Sequence, residues 1–159
     1  VCRFLYSLPS EGSSMDMLAG LQSKNSEEAY RLLLLLEEES ERSDNLYGEL
    51  DHFLTILKDK SSLVRTRGFR LICAQARWDR EGWIERHLDE LLAELDDGKA
   101  TAVRQCLAAL HPVVRLLPEL RPRIREKLDR LDLSKYKDSM IPLLLKDMNE
   151  LRMMMEEQK

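Results

Sequence analysis

Glycine and proline are scarce in this chain, 6 and 5 among 159 residues, and aromatic residues make up only 6% of it. β-branched residues are sparse beside Leu, Glu, Arg and Lys, so the balance favours helix over strand. An all-α fold is expected. Long apolar runs are missing as well. The densest, Leu32 to Leu36, stops at Glu37, Glu38 and Glu39, far short of the roughly 18 apolar residues that a bilayer-crossing helix needs. No membrane partner is expected, and the chain reads as cytoplasmic. Cysteine is rare: Cys2, Cys73 and Cys106 are odd in number and far apart, which suits reduced core thiols and not a disulfide framework.

An excess of positive charge is also lacking. Lys and Arg total 25 against 29 Asp and Glu, a formal net charge of -4, so a surface built mainly to neutralise phosphates is not expected and nucleic acid is an unfavoured partner. No nucleophile elbow, glycine-rich phosphate loop or His-Glu-x-x-His helix occurs, and the chain reads as no enzyme. His52, His87 and His111 are isolated from one another and no Cys-x-x-Cys spacing exists; no metal or other cofactor is expected.

What is present is enough apolar material, 43% of the residues, to bury a continuous core under a surface rich in charge. The first methionine is Met15, and Pro9, Gly12 and the serines around them fit a tether. Residues 1–14 are therefore expected to be a flexible extension, native or introduced, ahead of a single domain over 15–159.

Within that domain the stretch Ser61 to Arg77, SSLVRTRGFRLICAQAR, sets a plan that Gly98 to Val114, GKATAVRQCLAALHPVV, repeats. Each opens with a small or polar turn, reaches a Val-Arg pair (Val64-Arg65, Val103-Arg104) and continues as an apolar-rich helix. The pairs stand 39 residues apart. A fixed period of this size carried by helices marks stacked helix pairs. Around these units the pattern predicts helices over Ser26 to Ser40, capped by Asn25, over Leu46 to Lys58, Glu81 to Leu95, Ala100 to Leu117 with a kink from Pro112, and Glu119 to Leu131. A short helix precedes them after Met15, and a last one carries Ile141 to Met155, with Pro142 as a kink or a first turn. Leu34 and Leu35 widen the stripe of the first long helix, as for a helix covered on more than one side.

The two Val-Arg helices, each following an Asp-containing turn (Asp59, Asp97) and an amphipathic first helix, resemble HEAT repeats over roughly Leu46 to Leu117. Runs similar to RGFRLICAQARWD and TAVRQCLAAL occur in a small bacterial group of HEAT-like proteins sometimes labelled SufBD-like. The resemblance implies an α-α superhelix of three to four helix pairs, a ladder between turn Asp and helix Arg, and scaffolding through protein contacts. Some HEAT-like solenoids are alkylpurine DNA glycosylases, and Trp78, Asp79 and Trp83 beside Arg70, Arg77, Arg80 and Arg86 hold the residue types such a site uses. That is the alternative to a binding module.

On the helical wheel Val64, Gly68, Leu71, Ile72 and Trp78 share one arc, with Thr66, Arg70 and Arg77 opposite. Arg67 joins them as an outward cation. Thr66, Arg70, Arg77, Gln105 and, at the margin, Arg115 are the candidate groove, and an acidic peptide or protein segment is the partner it would suit. The acidic run Glu37 to Glu41 reads as a solvated helix end or as a docking patch for a basic partner. The Met-rich tail (Met148, Met153, Met154, Met155) reads as a capping helix or as an adaptable docking helix for a partner or a second copy, and the chain as a monomer or weak homodimer.

Overall fold

The computed structural model describes residues 14–157, and every regular element among them is helical. The extension expected over 1–14 lies, apart from Ser14, outside the described residues. The helices are α1 (Ser14–Leu21), α2 (Ser26–Arg42), α3 (Leu50–Leu57), α4 (Ser62–Ala74), α5 (Trp83–Arg86), α6 (Leu88–Ala93), α7 (Ala100–Ala109), α8 (His111–Leu116), α9 (Arg121–Arg130) and α10 (Ile141–Glu157).

Local chemistry sets most of their ends. The Asn25 side chain accepts from the Glu28 amide at 3.2 Å and starts α2; the Ser61 hydroxyl accepts from the Val64 amide at 3.4 Å and starts α4. Pro112 does more than kink a continuous helix. It lacks the amide that would bond the Ala108 carbonyl, and α7 and α8 meet at Leu110 as separate helices. Pro142 sits in the first turn of α10, where a missing amide costs little. The helix expected over Glu81 to Leu95 is broken into α5, α6 and a 3-10 turn at Glu94–Asp96. Gly82 delays its start to Trp83: it stands at φ 69, a left-handed turn that a side chain would strain.

α4 lies between α2 and α7, and α7 packs on α10, so α2, α4, α7 and α10 form one layer in chain order. Behind it α3 backs α4, Lys58 just past α3 meets Glu90 of α6 at 3.4 Å, and Arg123 of α9 meets Asp89 of α6 at 2.8 Å.

The closest approach is between α3 and α4. A Cβ on Gly68 would fall 2.8 Å from both the Leu57 nitrogen and the Phe53 oxygen, so only glycine allows these backbones to meet. Around it Phe53, Phe69, Leu71 and Ile72 are fully buried, each contributing about 1.5–3 kcal/mol.

Burial of α4 corrects two expectations. Thr66, placed on the outward side by periodicity, is 3% exposed and donates to the Ser62 carbonyl at 2.9 Å. Arg67, expected to be an outward cation, is 4% exposed and donates to the Leu21 carbonyl at 2.6 Å and to that of Ser23 at 3.5 Å. There it satisfies carbonyls that the end of α1 leaves open. A helix with neighbours on three sides has little outward face. α2 shows the converse, since Leu34 and Leu35 are exposed where cover was expected. In α10 Met148 and Met155 are buried and Met153 is exposed, so its inner stripe does pack on the preceding helices.

Candidate functional site

An open groove of about 400 Å³ runs where α2, α4 and the junction of α7 and α8 come together. α2 supplies one wall. Tyr30, Leu34, Glu37, Glu38 and Glu41 recur at intervals of three and four along it and so share a face. Leu34 and the three glutamates line the groove itself, together with Arg70, Ala74 and Arg77 from α4 and the turn after it. Ala108, Ala109 and Pro112 form the far side, where small side chains and the break between two helices leave room.

Two of the sequence-derived site residues therefore meet in this groove, Arg70 and Arg77. Arg70 is held from two sides. Its Nη2 and Nε donate to the two carboxylate oxygens of Glu37 at 2.7 and 3.1 Å, and its Nη1 donates to Gln105 Oε1 at 3.2 Å. The Tyr30 ring lies 6.0 Å from the guanidinium carbon. A bidentate pair with both side chains largely covered fixes this arginine as a bridge among α2, α4 and α7. Arg77 is exposed and donates from Nη1 to the Glu41 main-chain carbonyl at 2.9 Å. Gln105 is exposed on α7 beside Arg70. Arg115 is exposed on α8 but does not line the groove, and Thr66 is buried beneath the surface.

The groove is consequently less basic than the arginine positions alone imply. Three carboxylates border it against two guanidinium groups, and Glu37 neutralises one of those. Glu38 and Glu41 are exposed, and their carboxylates have no ion-pair or hydrogen-bond partner among the described residues. Sequence reasoning left Leu34, Ala74, Ala108 and Ala109 out of the groove. The signal that pointed to its wall was the run Glu37 to Glu41.

The tryptophan and arginine cluster is used by the fold. Trp78 Nε1 donates to the Ser40 carbonyl at 2.6 Å. Asp79 accepts from the Tyr47 hydroxyl at 2.7 Å and from the Trp83 and Ile84 amides at 2.9 and 3.0 Å, capping α5. Burial first, and then the Asp79 carboxylate, push the Tyr47 hydroxyl up to about 12. Trp83 Nε1 donates to Asp51 Oδ1 at 3.1 Å, and its ring stacks on His87 with centroids 3.9 Å apart. The two indole nitrogens and the Asp79 carboxylate are thus each hydrogen-bonded within the protein.

Among the described residues no group of three or more His, Cys, Asp or Glu is placed to hold a metal ion, and no helix is long and apolar enough to cross a membrane. Burial pushes the thiols of Cys73 and Cys106 well up, which suits inert core residues. No known family model matches the chain, and no curated protein or solved structure matches it either.

Proposed function

We propose that this protein is a non-catalytic, cytoplasmic interaction module built of HEAT-like helix pairs, and that it binds a protein segment in the groove between α2, α4 and the α7–α8 junction. The observation that carries the reading is the groove itself, a concave opening of about 400 Å³ that combines an exposed apolar wall with charged rims. Concave apolar surfaces edged by polar groups are the usual place for recognition. The repeat reading is supported by Arg65 and Arg104, 39 residues apart, which each pair with an aspartate further along the chain, Asp97 in the turn before α7 and Asp147 within α10. A superhelix built by continuing that relation would present α2, α4, α7 and α10 as one continuous binding layer.

Charge reversal at Arg70 is a poor test of this site, because it would place a new carboxylate against Glu37 and disturb the α2 to α4 contact. Ala108 is exposed on the groove's far side, and Ala108→Trp fills the opening without entering the core. The test is affinity capture from a lysate of the source cells with both forms. Proteins retained by the wild type and lost by Ala108→Trp support the reading. Identical retention by the two forms overturns it, and so does retention of nucleic acid alone by both.

A further inference from the structure

The α2 wall of the groove changes in kind along its length, and the change specifies an occupant. On α2 the apolar residues come first: Tyr30 and Leu34 are 50% and 43% exposed, so large areas of ring and isobutyl group face water. One helical turn further on, the same face carries Glu38 and then Glu41, both exposed and neither paired. At 1.5 Å per residue the step from Leu34 to Glu38 is about 6 Å and that to Glu41 about 10 Å.

These two carboxylates lie in the last turns of a 17-residue helix that ends at Arg42. The helix dipole there is negative, so each added carboxylate is unfavourable within the isolated chain. The nearby cations leave these two carboxylates unpaired. Arg70 is committed to Glu37, Arg42 to Glu39 at 3.1 Å, and Arg77 bonds a main-chain carbonyl and no carboxylate. An incoming cation would be attracted by the two free carboxylates.

We propose that the groove takes a basic, amphipathic peptide segment: one apolar side chain seated between Leu34 and the Ala108–Pro112 side, and one or two Lys or Arg side chains about 6–10 Å further along, paired with Glu38 and Glu41. The assignment rests on the protein-binding reading above and adds the chemistry of the partner. It is the reverse of the acidic segment that the arginines alone suggested, because the structure spends Arg70 on Glu37.

The test is a selection from phage-displayed random 16-residue peptides on the full chain at low salt, followed by fluorescence anisotropy with the most enriched peptide. The expected peptides carry a large apolar residue followed within two helical turns by Lys or Arg. Ala108→Trp should abolish their binding. Glu38→Lys with Glu41→Lys, both at exposed positions, should weaken it by roughly tenfold or more and turn a repeated selection toward Asp and Glu. Thermal melting checks that each variant remains folded. Enrichment of acidic or purely apolar peptides, or binding unchanged by the double reversal, overturns the basic occupant; the interaction module still stands in that case if Ala108→Trp blocks binding. No enrichment of any peptide overturns both.

Discussion

Arg65 donates to Asp97 across 32 positions of sequence, Nη2 to Oδ2 at 2.6 Å, and this aspartate joins α4 to the turn before α7. The same carboxylate accepts from the Ser62 hydroxyl at 2.5 Å and from the Lys99 amide at 2.8 Å, while the Asp97 carbonyl accepts from the Tyr136 hydroxyl. Arg65 also donates to Glu94 at 3.0 Å and to the carbonyls of Asp59 and Lys60. Arg65 thus ties α4 to the turn before α7, and the Asp97 carbonyl ties that turn to the loop after α9.

Because the Asp97 carboxylate is largely buried beside a partly exposed Arg65, Asp97→Ala should destabilise the protein by about 2 kcal/mol, leaving a hydroxyl, an amide and a guanidinium without their acceptor. Asp147→Ala, which breaks the corresponding but more exposed pair with Arg104, should cost less. Urea denaturation of both variants orders them; equal losses would refute the difference in burial as the cause.

The pH dependence follows from the same site. Burial alone would raise Asp97, but the Ser62 hydroxyl, the Lys99 amide and Arg65 hold it below the usual aspartate value. A carboxyl depressed in the folded state adds stability that is present above the unfolded pKa, near 4, and is lost as pH falls through the folded one. Glu94 moves the other way, raised by burial that Arg65 only partly offsets, so its contribution is lost as pH rises through its range. The stability gap between wild type and Asp97→Asn should therefore narrow from about pH 6 to about pH 3, measured by urea melts. A gap that widens toward acid would contradict the assignment.

Gly68→Ala should be destabilising by about 1–3 kcal/mol despite the roughly 1 kcal/mol gain in helix propensity, since the new methyl meets the α3 backbone. Gly48→Ala, with open space around it, is the control and should be neutral within about 0.5 kcal/mol. Melting temperatures of the pair decide it.

Arg67→Met removes the guanidinium that holds the end of α1. The expected result is faster hydrogen exchange in α1 and the start of α2, with a smaller change in α7 and α10. Uniform acceleration across the chain would mean that Arg67 supports the whole core instead of α1.

In a Cys2→Ser background, Cys73 and Cys106 should resist alkylation at about pH 8 until the protein unfolds, since both are buried with raised thiol pKa values. Rapid labelling of either thiol by iodoacetamide under native conditions would show that the α4 to α7 contact opens.

What the sequence determined by itself is local. Asn25 and Ser61 cap helices through the third amide ahead, and Pro112 removes one particular hydrogen bond. These effects act within a turn or two of chain, so composition and spacing are enough to read them. Tertiary structure decided which surface is outside. Periodicity divides a helix into an apolar and a polar face, but α4 is packed by α2, α3 and α7, so Thr66 and Arg67 are buried on sides that the wheel made polar. It also decided the charge of the groove: Arg70 meets Glu37 from 33 residues away, and only their contact leaves Glu38 and Glu41 as the groove's unpaired carboxylates.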